Sequence, residues 1–298
     1  MNTYEEVIGY GELELVSPYE VQTLHHLTLA QTVNDHARLT IKGFIPAEKK
    51  DSCMRLASPS DRIELFQKSK GQRICTLFKG QVTEMAVRMV RGVYQIELEA
   101  VSSTFTLDCK QKYRSFQHNK MTYQAMIKKV LKDYSGADVI DTVSKATPLK
   151  QFILQYKETD WQFLQRMASH FRTVLIPAVD ADKPKFWFGL PEGRMEKLSV
   201  ANYEILKDRS KFLHSKHNDI DQPIEERDTV AYVIESKKTL KLGDRVQLQG
   251  KELVVAKSIA HMKQGILTYE YHLLFKKGIR QDRRSIPFLP GTAIEGKV

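Results

Sequence analysis

The stretch that decides the fold lies near the middle of the chain and reads Gln155-Tyr156-Lys157-Glu158-Thr159-Asp160-Trp161-Gln162-Phe163-Leu164-Gln165-Arg166-Met167-Ala168. A short apolar run over residues 152–156 enters it, too brief for a helix and rich in strand-forming residues. Thr159, followed three residues later by Gln162, is a capping-box pattern, because each side chain can bond the backbone N–H group of the other residue at a helix start. The sequence therefore predicts a strand that passes into a helix at Thr159.

The predicted helix has an apolar stripe and two carboxylates near its start. The stripe predicts one buried face and consists of Phe163, Leu164, Met167, Ala168 and Phe171. Asp160 falls in the first turn, where the helix dipole stabilises a carboxylate by roughly 0.3–1 kcal/mol. Glu158 and Asp160 would be the paired acids of a glycosidase on an alternative interpretation. Residues two apart at a helix start point in different directions, so we expect no catalytic pair.

The composition is that of an ordinary globular protein, with 298 residues, 42% of them hydrophobic and 28% charged. This length suits two or three small domains. The three cysteines are widely spaced and form no Cys-x-x-Cys pair, which favours buried, reduced thiols and synthesis in a reducing cytoplasm; they are Cys53, Cys75 and Cys109. The acidic N-terminus leads into no apolar segment, and no stretch reaches membrane-spanning length. We therefore expect neither a signal peptide nor a membrane partner.

A formal charge of +10 is compatible with nucleic acid or with an acidic partner protein. The basic residues are spread along the chain, with no single patch interleaved with aromatic residues. We interpret most of this charge as solvated surface, with docking onto an acidic partner as the second choice, and expect no specific nucleic-acid partner.

The first 110 residues or so show the alternation of β-strands. Ala37, Leu39 and Ile41 alternate before Gly43, and a second run leads up to Gly80. The pairs Lys70-Gly71 and Arg91-Gly92 predict tight hairpin turns. Short strands separated by glycine turns favour a small barrel, because closure removes exposed strand edges.

The middle of the chain changes to a mixed pattern. Thr122 is a typical N-cap residue and predicts the start of another helix, and Gly136 predicts its end. The predicted buried face of this helix consists of Met126, Ile127, Val130, Leu131 and Tyr134. A polar stretch over residues 138–148 reads as a connection, and strands are predicted over 173–176 and 185–188. These elements predict a compact α+β domain. From about residue 200 strands return, with hairpins at Gly250 and Gly265, and residues 278–298 read as a basic linker or arm.

Two segments resemble the baseplate-hub family of contractile injection machines, which includes phage late control protein D and the type VI spike base, valine-glycine repeat protein G. The first contains Tyr156, Glu158, Thr159, Asp160, Phe163, Leu164 and Arg166. The second, Arg114-Ser115-Phe116-Gln117, resembles the exit from the family's first barrel. There we expect an exposed Arg114 beside a half-buried Phe116. The family has a glycine after the central helix, whereas this chain has Ser169-His170-Phe171-Arg172.

The resemblance implies an α+β, mainly β fold with two small antiparallel β-barrels flanking an α+β middle domain. The implied divisions are a first barrel over 1–112, the middle domain over 113–198, a second barrel over 199–278 and an arm toward a spike over 279–298. It also implies a homotrimeric hub with pseudo-sixfold symmetry, which partners a tail tube protein, a spike, and baseplate wedge or sheath proteins within a virion or tail-like particle.

Catalytic signatures are missing from the sequence, which has no phosphate-binding glycine loop, no Gly-x-Ser-x-Gly elbow and no His-Glu-x-x-His motif. We therefore expect a structural protein, with no enzymatic activity, no cofactor and no metal. The alternative is a basic β-barrel protein that binds single-stranded nucleic acid, whose affinity would fall steeply with salt.

Overall fold

Antiparallel strands make up most of the molecule. The structure, a computed structural model, describes residues 7–49, 58, 61–118, 120–218 and 224–286. In chain order its strands are β1 Leu13–Val16, β2 Thr23–Thr32, β3 Arg38–Ile45, β4 Arg62–Ser69, β5 Gln72–Val90, β6 Val93–Ser102, β7 Gln111–Phe116, β8 Asp138–Asp141, β9 Ile153–Thr159, β10 Leu175–Pro177, β11 Lys185–Phe188, β12 Met195–Lys197, β13 Glu204–Lys207, β14 Val230–Ser236, β15 Arg245–Leu248, β16 Lys251–Lys263 and β17 Ile266–Leu274. Its α-helices within the described residues are α1 Tyr123–Leu131, α2 Asp160–Ser169 and α3 Arg209–Asn218. The mainly β character predicted from the sequence is confirmed.

Two-residue turns close the main hairpins. In each turn both residues have positive φ, the conformation of a type I′ turn, which matches the twist of the flanking strands. The φ angles are 49° and 77° at Lys70-Gly71, 52° and 81° at Arg91-Gly92, 48° and 77° at Gln249-Gly250, and 52° and 78° at Gln264-Gly265. The sequence prediction of hairpins at these glycines is therefore confirmed.

Two other glycines lie inside strands, where the sequence indicated strand ends. β5 continues through Gly80 for 19 residues, and Gly43 lies within β3. A Cβ atom at Gly80 would collide with the ring of Phe78 and the carbonyl of Val101, and one at Gly43 would collide with Val21. These glycines permit a close approach of neighbouring groups and do not break the strand.

Two five-strand units repeat the same arrangement. The first pairs its strands in the order β4-β5-β6-β3-β2, and the second in the order β15-β16-β17-β14-β13, so corresponding strands follow one another identically in both. The β5–β6 hairpin has a register shift between Val82 and Glu84, and the β16–β17 hairpin has one between Val255 and Lys257. Both shifts lie at the same separation from their turn glycines, Gly92 and Gly265. The structure thus contains a repeat that is not evident residue by residue in the sequence.

A single sheet runs through both units because β2 of the first pairs with β16 of the second. Among the described strands the pairing path is open and ends at β1 and β13. One continuous apolar cluster lies under this sheet and draws on both units, with fully buried members such as Leu39, Leu98, Val255 and Tyr271.

The part of the chain from β7 to β11, which we call the middle segment, has its own apolar cluster. Helices α1 and α2 contribute most of the side chains of this cluster. Its strands form a β7–β9 pair and a three-stranded sheet in the order β10-β11-β8. The prediction of a polar connection over 138–148 was wrong in its first part, because β8 pairs in parallel with β11. Helix α1 ends at Leu131, earlier than predicted, and Gly136 (φ 74°) lies in the turn that follows.

Helix α3 was not predicted, because its residues carry no apolar periodicity. Its first turn is capped when the Lys211 N–H donates to Asp208 Oδ1 at 2.9 Å. The described part of the C-terminal arm packs on the middle segment: Gln281 Nε2 donates to the Thr173 carbonyl at 2.6 Å, and the Arg284 N–H donates to Ser169 Oγ at 2.8 Å. The rest of the predicted arm, residues 287–298, lies outside the described residues, as does Cys53. Cys75 and Cys109 are exposed, which corrects the expectation of buried thiols.

Candidate functional site: the charge network around helix α2

The start of helix α2 has the predicted capping box. The Gln162 N–H donates to Thr159 Oγ1 at 3.1 Å, and the Thr159 N–H donates to Gln162 Oε1 at 3.1 Å. The expectation of a single buried face was too narrow, because Trp161, Arg166 and Ser169 are buried as well as four members of the predicted stripe. The fifth member, Phe171, is half-buried and lies beyond the end of the helix. The helix lies between its own apolar cluster and the 3-10 helix Ser103–Asp108, which leaves little of its surface in water.

Asp160 is fully buried and accepts hydrogen bonds from three side chains. Arg114 forms an ion pair with both of its oxygens, Tyr134 Oη donates to Oδ2 at 2.7 Å, and Gln155 Nε2 donates to Oδ1 at 2.9 Å. Burial, and then the hydrogen bond to Asp160, raise the pKa of Tyr134, so this hydroxyl remains a donor. The sequence assigned Asp160 only to the helix dipole; its partners come from β7, β9 and the turn after α1.

Arg114 and Phe116 are more buried than predicted. The Arg114 side chain is 19% exposed and Phe116 is 2% exposed, which corrects the expectation of an exposed arginine beside a half-buried ring. The reason is that β7 pairs with β9, which carries both side chains toward α2. Burial lowers the pKa of Arg114, but its bonds to Asp160 and Asp133 outweigh that effect, so the pKa lies above its ordinary value.

Glu158 and Arg166 form a second, separate buried pair. Arg166 Nε donates to Glu158 Oε1 and Arg166 Nη2 to Glu158 Oε2, both at 2.7 Å. Arg166 Nη2 also donates to the Leu154 carbonyl at 2.6 Å, which ties the helix to the strand that precedes it. The carboxylates of Glu158 and Asp160 thus point to different arginines, as the sequence analysis expected of residues two apart.

The remaining motif residues support this arrangement or lie at its surface. The Phe163 ring stacks on Phe116 at a centroid distance of 5.7 Å, and Leu164 is fully buried. Tyr156 contacts Tyr113 edge to face at 5.3 Å. Ser115 and Gln117 are exposed and stand apart from the network.

Asn34, which the sequence did not reveal as a functional candidate, connects helix α2 to the large sheet. It lies at the β2–β3 turn with φ of 66°, a conformation that asparagine tolerates better than most residues. Its carbonyl accepts from Trp161 Nε1 at 3.2 Å and Gln165 Nε2 at 2.5 Å, and its Oδ1 accepts from the Leu175 N–H at 2.8 Å. Asparagine in a turn is too common for the sequence alone to reveal this role.

The end of helix α2 is a Schellman motif built without glycine. The Arg172 N–H donates to the Ser169 carbonyl at 3.0 Å, the Thr173 N–H donates to the Ala168 carbonyl at 3.2 Å, and Arg172 has φ of 54°. This is the left-handed position at which glycine is usually found. The chain therefore keeps the backbone geometry of a glycine-terminated helix with arginine in that position.

Arg172→Gly is expected to give a protein about 1 kcal/mol more stable than Arg172→Ala, because only glycine adopts the left-handed conformation without steric cost. Both variants lose the same side-chain interactions, so their difference isolates the backbone. Urea unfolding of the two variants measures it, and equal stability would contradict the Schellman assignment.

His170 makes the stability of this region dependent on pH. Tyr123 Oη lies 2.8 Å from its Nδ1, and burial, with Arg283 and Arg166 nearby, lowers its pKa to about 4. As pH falls from 7 to 5, the unfolded chain binds a proton on His170 before the folded chain does, so stability is lost. After allowance for partial exposure we expect a loss of about 1–2 kcal/mol. Urea unfolding at both pH values should show this loss, and His170→Gln should reduce it; an unchanged slope in that variant would contradict the assignment.

The described residues offer neither a cluster of metal ligands nor a membrane-crossing helix. They contain no group of three or more His, Cys, Asp or Glu residues placed to hold a metal ion. None of the described helices has the length and apolarity needed to cross a membrane.

One protein-family model matches part of the chain. Residues 59–170 match the family model of the phage tail baseplate hub (GPD), a segment that includes both motifs described above. No curated protein sequence matches the chain.

Several solved structures are similar in fold. One is the E. coli c3393 protein, a type VI secretion component with structural similarity to the T4 tail proteins gp27 and gp5; its TM-score is 0.68 at 13% identity, over 93% of this chain and 82% of that one. The 43 kDa tail protein of prophage MuSo2 from Shewanella oneidensis gives 0.65 at 12% identity, over 92% and 99%. A tail protein from Neisseria meningitidis MC58 gives 0.62 at 13% identity, over 90% and 97%. Residues 59–170 thus match the model of the phage tail baseplate hub family, and over nine-tenths or more of its length the chain has the fold of these phage-tail and type VI secretion proteins.

Proposed function

We propose that the chain is a structural baseplate hub that forms a homotrimeric ring between a hexameric tail tube and a central spike. The observation that carries this proposal is the repeated five-strand unit. Each copy supplies two similar units, so three copies present six similar surfaces around one axis. A closed ring of repeated surfaces is the usual way for a trimer to match a sixfold partner.

In this arrangement the two units act as small barrels of the ring, over residues 1–112 and 199–278. The middle domain, 113–198, faces outward toward sheath or wedge proteins, and residues 279–298 lead toward the spike. The contacts of Trp161 and Gln165 with Asn34 then have a mechanical purpose, because they hold the middle domain on the ring, while the charge network fixes helix α2 within that domain. The motif residues carry structure in this proposal, and no reaction is assigned to them.

Mass photometry and sedimentation of the purified chain test the proposal, with and without a tube protein. We expect a trimer of 34.4 kDa subunits that persists after nuclease treatment and binds tube protein. A chain that stays monomeric and does not bind tube protein would contradict the proposal. If the chain instead bound single-stranded oligonucleotide with affinity falling steeply with salt, the nucleic-acid alternative would replace the hub.

A further inference from the structure

The junction between the two units shows how strands of one unit pair with strands of the other. Inside one chain, β2 of the first unit pairs with the second half of β16, with Ala30 opposite Ile259 and Leu29 opposite Ala260. The first half of β16 is occupied on that same edge by β15. β2, the first strand of its unit along the chain, thus pairs with the free part of one edge of β16, the fourth strand of the other unit.

Among the described strands of one chain, the reciprocal junction is not formed. By the shared strand order, β13 corresponds to β2 and β5 corresponds to β16. β4 pairs with β5 only as far as Gln81, and among the described strands none pairs with that edge of β5 over residues 84–90. β13 is likewise the last strand of the described path. Within the described residues, β13 and residues 84–90 of β5 are therefore the unpaired counterparts of the two strands that form the β2–β16 junction.

The two registers fix which residues would meet. Aligning the hairpin turns and bulges makes Ile259 equivalent to Ala86 and Ala260 equivalent to Val87. Aligning the pairs Leu29–Leu39 and Ile205–Tyr232 makes Ile205 equivalent to Leu29, and hence Leu206 equivalent to Ala30. The transferred register places Leu206 opposite Ala86, Ile205 opposite Val87 and Glu204 opposite Arg88.

Burial at equivalent positions supports this transfer. Leu29, at the closed junction, is 4% exposed, whereas its equivalent Ile205 is 54% exposed. Exposed apolar side chains lie on both open segments, with Met89 and Val90 on β5 and Leu206 on β13. The pairing also sets Glu204 against Arg88, and opposite charges facing across strands stabilise a sheet.

We infer that β13 of one copy adds as an antiparallel strand to residues 84–88 of β5 in a second copy, with Leu206 opposite Ala86. The inference rests on the proposed hub and names the interface that closes its ring. The contact is heterologous, since different edges meet, so it forms a ring when three copies complete a full rotation.

Disulfide trapping tests the register, in a background with Cys53, Cys75 and Cys109 replaced by serine. Ala86→Cys with Leu206→Cys is expected to form covalent dimers and trimers on a non-reducing gel. Ala86→Cys with Ile205→Cys is the matched control, because an offset of one residue places the thiols on opposite faces, and we expect about tenfold less linking. Ala30→Cys with Ile259→Cys, the equivalent pair within one chain, reports whether this geometry permits a disulfide.

A second measurement is independent of thiol geometry. Ile205→Lys puts a charge on the proposed donor strand at an exposed position, where it should leave the fold intact. We expect it to weaken trimer formation at least about tenfold, since charged edges oppose strand addition. Tyr113→Lys, at another exposed position, should leave the trimer unchanged.

The outcomes separate the inference from the proposed function. A trimer that Ile205→Lys leaves unchanged, or one that does not link through Ala86→Cys and Leu206→Cys while the within-chain control oxidises, overturns the β13–β5 junction alone. A wild-type chain that stays monomeric with tube protein present overturns the hub, and the junction with it.

Discussion

Arg114→Met is expected to lower the free energy of unfolding by about 3–5 kcal/mol, because it leaves the carboxylate of Asp160 buried without its cation. Asp160 is fully buried, so water does not replace the lost partner. Tyr134 and Gln155 still donate to it, at 2.7 and 2.9 Å, and compensate only in part. The loss concerns stability, and the same fold should persist at low denaturant.

Lys112→Met is the matched control for this prediction. Lys112 lies on the same strand and pairs with Asp133 at 3.0 Å, but that carboxylate is 46% exposed. We expect this variant to lower the free energy of unfolding by less than about 1 kcal/mol, because exposed ion pairs contribute little to stability. Urea unfolding followed by circular dichroism gives both values. Equal losses in the two variants would show that burial of Asp160 does not govern the stability of the network.

A double-mutant cycle with Asp160→Asn measures the ion pair itself. Once Asp160 is neutral, Arg114→Met no longer leaves an unpaired charge, so the double variant should be less destabilised than the sum of the single variants. We expect a coupling of about 0.5–3 kcal/mol, the range found for residues within one hydrogen-bonded network. Additive losses would contradict direct coupling between the two side chains.

Trp161→Ala is expected to lower the free energy of unfolding by about 3–5 kcal/mol, the usual range for truncation of a buried tryptophan. Trp161 is 2% exposed, contacts Phe186 edge to face at a centroid distance of 5.5 Å, and donates to the Asn34 carbonyl. It thus joins helix α2 both to its own apolar cluster and to the β2–β3 turn. Its removal leaves a cavity between the middle segment and the large sheet.

Trp161→Phe separates packing from the hydrogen bond. It keeps an aromatic ring and loses the Nε1 donor, while Gln165 still donates to the same carbonyl. We expect a smaller loss, of about 1–2 kcal/mol. Tyr113→Ala, at an aromatic position that is 61% exposed, should stay below about 1 kcal/mol. A Trp161→Ala loss no larger than that of Tyr113→Ala would show that the contact with Asn34 does not hold the two parts together.

The sequence predicted those parts of the fold that depend on near neighbours. The capping box at Thr159 and the X-Gly hairpin turns each act within a few residues, and the structure has them where the sequence placed them. Gly43 and Gly80 misled the prediction, because a glycine that relieves a close approach between strands looks the same in sequence as one that ends a strand. Helix α3 was missed because its residues lack an apolar repeat.

The candidate site was predicted in its residues and only partly in its contacts. Asp160 and Arg114 were both singled out, yet their pairing was not foreseen, since 46 residues separate them and only the β7–β9 pairing brings them together. Asn34 is still more distant in sequence, 127 residues from Trp161. Its role depends on where the β2–β3 turn meets α2.

The sequence by itself determined the local geometry: where strands turn, where helix α2 begins, and which faces are apolar, because backbone conformation and capping are settled within a single turn of chain. Only the tertiary structure decided which buried charges meet and how the two five-strand units join through β2 and β16. Those contacts depend on packing between segments far apart in the chain, and burial, which sets their strength, does not exist until the segments have packed.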